Sequence, residues 1–470
     1  MLSILCAQIY RSKTLYEAAV SGYWFGVGFF LTALYWISFG VTVYIDEFLW
    51  AVPFALFGLP AFLAIFTAII SVIAYRFKLS IYYHFLFCVT WIFIEWVMSW
   101  IFTGLPWALI GYAFNVSEIL IQPASLFGIL GLSFSGIFIG SIFYGKEFLS
   151  LRIFIASIII ISTVLYGVIR LANNPTEYSK VKIRIVQPSI KQVAKWDPEI
   201  FWENIYKHIS LSMRKGEPDI IIWSEAALTA PYYYEEIYEN LMTLFSKKNQ
   251  FLLTGSVSDN GREGELLELY SSFIALSDTG ELIFDYRKSH LVPFGEYMPL
   301  GEYIPLKKIT PGIIDYTPGK REIKYLPQLN LSILPLVCYE SIFYNESRVS
   351  NIDVDLIINI TNDAWYGNSS GPYQHFEISR IRAVENALPM IRSGNNGISA
   401  VIDPAGRVIA KLALNEVDIL DSYLPIKLGK PTLFSKLGNI SVVVFILLVL
   451  IIQKICFIFR GKITERKFFS

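Results

Sequence analysis

The sequence predicts a chain with two kinds of structure, a multi-span α-helical membrane bundle and an α/β domain with a buried sheet core. Of the 470 residues, 54% are hydrophobic and only 17% are charged, and the mean hydropathy is +0.49. This balance is unusual for a protein that meets water alone, so lipid is expected to be part of its solvent. The apolar residues are concentrated in long runs before residue 175 and near the C-terminus, and short β-rich runs fill the region between them.

The long apolar runs define the predicted membrane spans. Each run is near or above the roughly 20 residues needed to cross a hydrocarbon core about 30 Å thick. Five runs precede residue 175, at about 21–43, 48–75, 81–102, 119–145 and 153–172, and a sixth lies at about 437–459. We therefore expect an N-terminal transmembrane bundle over residues 1–174 and a C-terminal transmembrane helix with a basic tail over residues 436–470.

The loops between the predicted spans alternate in their content of lysine and arginine. Basic residues lie before the first span, after the second, between the fourth and fifth, and after the sixth: Arg11, Lys13, Arg76, Lys78, Lys146, Arg152, Arg460, Lys462, Arg466 and Lys467. The alternate loops, residues 44–47 and 103–118, contain none. By the positive-inside rule both termini are cytoplasmic, and residues 175–435 lie on the outer side of the membrane.

Residues 175–435 are expected to form a single α/β domain. Runs rich in β-branched residues predict strands at 181–186, 219–223, 251–255, 272–276, 331–337, 354–360 and 398–402. Apolar spacing without internal proline predicts helices at 198–213 and 376–386. About 250 residues of alternating strands and helices are enough to bury one sheet core.

Three predicted strands in this domain are each followed by a reactive side chain. Glu225 follows the strand-like run 220–223, Lys288 follows the run 283–287, and Cys338 ends the run 331–337. Because catalytic groups converge at the carboxyl ends of strands in α/β sheets, these three are expected to meet. Cys338 is also the one cysteine outside the long apolar runs, so it has no disulfide partner nearby.

A carboxylate, an ammonium and a thiol form a sensible nucleophilic set. The carboxylate accepts the thiol proton, and the ammonium favours the thiolate and stabilises a developing oxyanion. The thiolate then attacks a carbonyl carbon and forms a thioester. Singly, each residue is more often a solvated strand-end charge or a packed thiol. The four histidines are scattered and no Cys-x-x-Cys pair exists, so no metal or cofactor is expected. The formal net charge of zero argues against a nucleic-acid partner.

Several motifs carry a family resemblance. Residues 286–297 (YRKSHLVPFGEY), 337–340 (VCYE) and 362–367 (NDAWYG) resemble the nitrilase, or carbon–nitrogen hydrolase, superfamily. With the flanking spans and residues 371–375 (GPYQH), the resemblance narrows to the apolipoprotein N-acyltransferase family. It covers nearly the whole chain.

The resemblance implies a nitrilase-like αββα sandwich in the periplasm, carried by a multi-pass protein of the bacterial inner membrane. The implied activity moves a fatty acyl chain from a phospholipid, through a cysteine thioester, to the N-terminal amine of diacylglyceryl-cysteine in lipoproteins. This is the last step of lipoprotein maturation. The implied partners are therefore a phospholipid donor, a diacylglyceryl-modified apolipoprotein acceptor and the membrane lipid, and we expect a monomer.

Matching positions take roles from the resemblance. It implies that Glu225 is the general base, Lys288 the oxyanion-stabilising cation and Cys338 the nucleophile. Glu296 and Glu340 match two further acidic positions that the family associates with the site. Tyr339 and Trp196 match positions linked to activity or loop placement, although ordinary packing is an equal alternative for Trp196.

Two departures from the family pattern stand out. Ser224 precedes the acid where the family often has proline, which should alter only local backbone stiffness. The family is expected to have eight spans, seven of them before the catalytic domain, and five are counted here. Residues 1–10 would be the remainder of the second span, so the chain is expected to be shortened at its N-terminus without a change in the side on which the domain lies.

Alternatives stay open at this point. A membrane-tethered amidase or nitrilase that hydrolyses small carbon–nitrogen bonds would use the same fold. A cysteine–histidine thiol hydrolase would instead use His290 or His375. A transporter or channel is disfavoured, since the spans contain few ionisable residues.

Overall fold

A computed structural model describes the chain except for residues 147, 261–267, 302, 304–306, 311–313, 351–352 and 469–470, and for residues 457–468 it describes the backbone alone. The chain divides into two compact units. The first comprises Met1–Tyr35, Phe54–Asn173 and Thr432–Ser470, and the second comprises Trp36–Pro53 and Asn174–Pro431.

The α-helices are, in chain order, α1 (Leu2–Arg11), α2 (Leu15–Leu34), α3 (Ile37–Thr42), α4 (Ile45–Phe48), α5 (Leu59–Arg76), α6 (Tyr83–Met98), α7 (Ala124–Gly140), α8 (Leu149–Asn173), α9 (Gln192–Lys195), α10 (Phe201–Ser212), α11 (Glu235–Met242), α12 (Gly371–Asn386), α13 (Leu433–Leu437) and α14 (Ile440–Phe468). The strands are β1 (Tyr178–Gln187), β2 (Ile220–Ile222), β3 (Phe251–Asp259), β4 (Leu269–Ser277), β5 (Leu282–Arg287), β6 (Lys324–Leu326), β7 (Leu331–Val337), β8 (Leu356–Thr361), β9 (Met390–Gly394), β10 (Ala400–Ile402), β11 (Val408–Lys411) and β12 (Asp418–Pro425).

The first unit is helical, and each predicted span contains a helix. By length and composition, Phe54–Arg76 and Leu149–Asn173 are suited to cross a membrane, while Tyr83–Met98, Ala124–Gly140 and Ile440–Cys456 are shorter apolar helices. The first predicted span, 21–43, is shifted, since α2 begins at Leu15 and ends at Leu34.

Small residues explain how α2 and α5 approach one another. A Cβ atom added at Gly26 would lie 1.9 Å from Thr67 Oγ1, and one at Gly22 would lie 2.1 Å from Ser71 Oγ. Both glycines therefore allow a helix contact that a side chain would block. Such close packing of small residues is typical of helices in membranes, where apolar burial alone does not drive association.

In the described part of the chain the strands form two six-stranded sheets. The first has the order β12-β1-β2-β3-β4-β5 and the second the order β11-β10-β9-β8-β7-β6. Parallel pairs lie at the centre of each sheet, β1–β2–β3 in the first and β7–β8–β9 in the second. The carboxyl ends of these central strands therefore lie at one edge of their own sheet.

The two sheets pack face to face. Ile185 and Ile222 from the first sheet share one buried cluster with Val337 and Ile358 from the second. Helices α10 and α11 cover the outer face of the first sheet, and α12 covers that of the second. The layers are thus helix, sheet, sheet and helix, which confirms the predicted αββα sandwich.

The segment Trp36–Pro53 belongs to the second unit, although it overlaps the end of the first predicted span and the start of the second. The Trp36 ring lies 4.5 Å from that of Tyr366, and its Nε1–H donates to Gln374 Oε1 over 3.1 Å. A tryptophan that has both a ring contact and a hydrogen bond is firmly anchored. The domain boundaries at residues 174 and 435 stay predictions.

Candidate active site

Cys338 lies at a sharp turn between a strand and a helix. It follows β7 directly and begins a short 3₁₀-helix, Cys338–Ile342. Its φ of 51° is in the left-handed region, which costs a non-glycine residue about 1–3 kcal/mol and persists only where the surroundings enforce it. The Ser341 hydroxyl donates to the Cys338 carbonyl oxygen over 3.1 Å, and His375 Nε2 lies 3.2 Å from the same oxygen. These two contacts with the carbonyl oxygen hold the strained backbone of Cys338 in place.

Glu225 and Lys288 come from the first sheet and meet Cys338. Glu225 follows β2, and Lys288 follows β5. Lys288 Nζ lies 3.4 Å from Glu225 Oε1, and the charges of both residues act on the pKa of the buried Cys338 thiol. The structure thus brings the three predicted residues together across the two sheets.

Gly255 on β3 makes room for the turn at Glu225. A Cβ atom at Gly255 would lie 2.5 Å from the Ala226 nitrogen and 2.7 Å from Glu225 Cα. These are backbone atoms, which cannot swing aside as the end of a side chain can. Any larger residue at position 255 would therefore displace Glu225.

Glu296 is the fourth charged group of the cluster. Its Oε1 accepts from Lys288 Nζ over 2.8 Å, and its Oε2 accepts from the Val292 N–H over 2.8 Å. Lys288 thus bridges two carboxylates while it is itself only 1% exposed.

The pKa values of these groups follow from burial and from one another. Burial raises the pKa of Glu225, against the opposing effect of the Lys288 ammonium. Burial alone would lower the pKa of Lys288, but the carboxylates of Glu296 and Glu225 raise it above its ordinary value. Burial and the Glu225 charge raise the pKa of Cys338, and Lys288 lowers it. The resting site therefore holds a neutral thiol, a permanent ammonium and a carboxylate ready to take a proton.

Glu340 holds two chain segments together. Its Oε1 accepts from the Tyr286 hydroxyl (2.9 Å), the Ser289 N–H and hydroxyl (both 2.7 Å) and the His290 N–H (3.2 Å), and its Oε2 accepts from the Val337 N–H (2.7 Å). The segment after β5 carries Lys288, and the Val337 N–H immediately precedes the nucleophile. Glu340 therefore fixes the ammonium relative to the thiol.

Tyr339 and Trp196 stand differently at the site. The Tyr339 ring lies 5.7 Å from the His290 ring and 5.0 Å from that of Phe343, so it belongs to an aromatic cluster beside the nucleophile. Trp196 is half-buried at the C-terminal end of α9.

Sequence reasoning missed a buried charge cluster at the nucleophile backbone. His375 Nδ1 lies 2.8 Å from Asp363 Oδ1, and Arg392 Nη2 donates to Asp363 Oδ2 over 2.8 Å. All three side chains are fully buried. The motifs 362–367 and 371–375 contained two of these residues, but their role depends on Arg392, which lies on β9, a strand that was not predicted.

A second missed residue is Lys195, which is 3% exposed. Its Nζ donates to the backbone carbonyl of Glu225 over 2.8 Å. Burial lowers the pKa of Lys195 to about 8, although the nearby charges of Glu225 and Cys338 raise it. Its place next to Trp196 in the sequence was visible, but nothing in the pattern indicated burial.

No group of three or more histidine, cysteine, aspartate or glutamate side chains suited to a metal ion is present among the residues that the structure describes. The site contains acid, base and nucleophile in its own side chains.

The αββα sandwich and the Glu–Lys–Cys cluster together indicate the class of the protein, the carbon–nitrogen hydrolases. Residues 182–428 match the carbon–nitrogen hydrolase family, and residues 1–142 match the apolipoprotein N-acyltransferase N-terminal domain.

Full-length relatives define the family more narrowly. The apolipoprotein N-acyltransferase of Rickettsia bellii is 52% identical over 96% of this chain and 92% of its own length. That of Rickettsia prowazekii is 51% identical over the same shares, and that of Brucella melitensis is 37% identical over 88% of this chain and 81% of its own length. The chain belongs to the apolipoprotein N-acyltransferase family, which confirms the resemblance seen in its motifs.

Proposed function

We propose that the protein transfers a fatty acyl chain from a phospholipid to the N-terminal amine of diacylglyceryl-cysteine in lipoproteins, through an acyl-thioester on Cys338. The observation that supports this most directly is the buried cluster itself, in which Lys288 Nζ lies 3.4 Å from Glu225 Oε1 and the charges of both residues act on the pKa of the Cys338 thiol. A base, a nucleophile and a cation in contact form a complete acyl-transfer centre.

In the first step Glu225 takes the thiol proton, and Cys338 Sγ attacks the carbonyl carbon of a phospholipid ester. The Lys288 ammonium stabilises the negative charge that develops on the carbonyl oxygen. The carbon–oxygen bond to glycerol then breaks, and Glu225 donates the proton that it took from the thiol to the leaving alkoxide. The products are a lysophospholipid and an acyl-thioester.

In the second step the α-amine of the acceptor attacks the thioester carbonyl. Glu225 takes a proton from the attacking amine, and Lys288 again stabilises the oxyanion. The carbon–sulfur bond breaks, and the Cys338 thiolate recovers a proton from Glu225. The amide product leaves, and the site returns to its resting state.

The supporting acidic residues act through the catalytic groups. Glu296 holds Lys288 from the side opposite Glu225 and keeps its ammonium charged. Glu340 keeps the Lys288 segment in register with the nucleophile turn. Tyr339 packs the aromatic cluster beside that turn.

We further propose that the protein is a monomeric, multi-pass protein of the bacterial inner membrane, with both termini cytoplasmic and the catalytic domain periplasmic. The alternation of basic and non-basic loops supports this orientation. Both proposed substrates carry long acyl chains, so a bilayer is where they and the enzyme would meet.

The proposal is tested by a transfer assay with the full chain in phospholipid–detergent micelles. We expect a synthetic diacylglyceryl-cysteine peptide to gain one acyl chain, with release of an equal amount of lysophospholipid. Glu225→Gln should lose this activity by at least about a hundredfold, since a general base contributes roughly 10²–10⁴ to the rate. Hydrolysis of small amides in place of acyl transfer would contradict the proposal.

A further inference from the structure

Three polar side chains lie on one face of the short helix α9 and its last turn. Gln192, Lys195 and Trp196 are spaced i, i+3 and i+4, which places them side by side on a helical surface. Gln192 is 4% exposed and Lys195 is 3% exposed, so this face points into the protein. We call these three residues the α9 face.

The α9 face borders the reacting centre at two strand ends. Lys195 donates to the Glu225 carbonyl, just after β2. Gln192 Oε1 accepts from Asn362 Nδ2 over 2.6 Å, and Asn362 follows Thr361, the last residue of β8. Strand β8 pairs with β7, whose last residue, Val337, directly precedes Cys338. The face is therefore connected both to the base and to the surroundings of the nucleophile.

This face has spare hydrogen-bond donors. Gln192 Nε2 and Trp196 Nε1 are buried and have no hydrogen-bond partner among the described residues. The Lys195 ammonium has three N–H groups, and the described residues accept from it once, at Glu225. Buried polar groups are normally paired, so unpaired donors beside a reactive centre indicate a place for a ligand.

The chemistry of the missing ligand follows from the donors. An amide NH₂, an indole N–H and an ammonium can only donate in these positions, so the ligand has to supply acceptor oxygens. The ammonium further favours an oxygen with negative charge or strong polarisation. An acyl chain has no such atoms, and an amine is a poor match.

We propose that the α9 face is a substrate subsite that binds the polar oxygens next to the reacting carbonyl. This rests on the proposed function, under which two substrates carry such oxygens. The phospholipid has ester and phosphate oxygens, and the acceptor has ester and peptide carbonyl oxygens. The subsite positions its substrate against Cys338 and takes no part in proton transfer.

Two substitutions remove single donors and leave the shape of the face intact. Trp196→Phe retains an aromatic ring and loses the N–H. Gln192→Glu retains the oxygen that accepts from Asn362 and replaces the spare donor by an acceptor. Matched controls are Trp202→Phe, on the half-buried edge of α10, and Gln328→Glu, which is exposed.

The experiment measures the two steps separately with the full chain in detergent. Mass spectrometry follows Cys338 acylation against phospholipid concentration, and then transfer from the acylated enzyme against peptide concentration. We expect the half-saturating concentration of one substrate to rise about fivefold in Trp196→Phe and tenfold or more in Gln192→Glu. The iodoacetamide alkylation rate of Cys338 in Trp196→Phe and all constants of the controls should stay unchanged.

The outcomes separate the sources of the ligand. A rise for the phospholipid assigns the face to the donor, and a rise for the peptide assigns it to the acceptor. Wild-type constants for both substrates in both variants would overturn the subsite while leaving the proposed function intact. A wild-type protein that forms no Cys338 adduct would contradict the proposed function itself, and with it the subsite.

Discussion

Cys338 lies between two buried ionic clusters that use their carboxylates in opposite ways. On the thiol side, Glu225 makes a long 3.4 Å contact with Lys288, and burial raises its pKa. On the backbone side, burial would raise the pKa of Asp363, but Arg392 and His375 lower it to about 2. The loosely held carboxylate of Glu225 can therefore exchange a proton, while the fully engaged carboxylate of Asp363 stays ionised and fixes the chain.

Glu340 belongs with the second kind. Among the described residues it accepts hydrogen bonds from Tyr286, Ser289, His290 and Val337, on both sides of the site, and none of these groups reacts. The acidic residues of this site therefore fall into two groups, according to how many hydrogen bonds and ion pairs hold each carboxylate. The sequence alone does not show this difference. Substitutions on the two sides should separate loss of chemistry from loss of geometry.

The largest effect is expected for Lys288→Met. It removes the oxyanion-stabilising charge and leaves Glu225 and Glu296 as two buried carboxylates without their shared cation. We expect acyl transfer to fall by about 10³-fold or more and stability to fall by about 3–5 kcal/mol, as for other broken buried ion pairs. Transfer kinetics and thermal unfolding measure the two losses, and activity within tenfold of wild type would contradict the assigned role.

A smaller effect is expected on the backbone side. His375→Gln weakens the support of the Cys338 carbonyl but leaves Glu225 and Lys288 in place. We expect kcat to fall by about 10–100-fold, with an unchanged pH profile for alkylation of Cys338. A loss equal to that of Lys288→Met, together with an altered profile, would indicate that His375 takes the thiol proton instead of Glu225.

Lys195→Met is expected to separate function from stability. Removing the charge makes the Cys338 thiolate less favourable, so alkylation should shift to higher pH and slow about tenfold at neutral pH, which corresponds to about one pKa unit. Removing a buried charge should also leave Tm equal or higher at pH 7.

The pH dependence of that difference has a defined sign. The pKa of Lys195 is lowered to about 8 from its ordinary value of 10.5, so the unfolded chain binds more protons between these values. Wild-type stability should therefore rise through this window, and the Tm advantage of Lys195→Met should shrink from pH 7 to pH 10. A constant difference over that range would show that Lys195 does not titrate there.

The smallest effect is expected for Ser224→Ala. The Ser224 hydroxyl is buried and has no hydrogen-bond partner among the described residues. Its removal should leave transfer within about twofold and raise stability by up to about 1 kcal/mol, because an unsatisfied polar group is lost. A large loss of activity would indicate that this hydroxyl contacts a substrate.

Much of the fold could be predicted from local pattern. All seven predicted strands are present, and the helices predicted at 198–213 and 376–386 correspond to α10 and α12. The strands that were missed are short or polar, such as β9, where Arg392 and Ser393 are buried by the charge cluster and interrupt the apolar run. Tertiary partners, which a single sequence does not reveal, determine such strands.

The site was predictable to the same extent. Glu225, Lys288 and Cys338 each follow a recognisable strand, and strand ends converge by topology. The roles of Glu340 and Lys195 depend on backbone groups that are distant in sequence, 30 residues away for Lys195 and 50 or 51 residues away for Glu340. These contacts between residues that are distant in sequence form only when the two sheets pack together.

Mass spectrometry of the protein after incubation with phospholipid would detect the proposed acyl-thioester on Cys338. We expect one added acyl chain on the peptide that contains Cys338, released by hydroxylamine as a thioester is, and absent from Cys338→Ala. An adduct that persists in Cys338→Ala, or acyl transfer to the peptide acceptor by that variant, would contradict the proposed thioester.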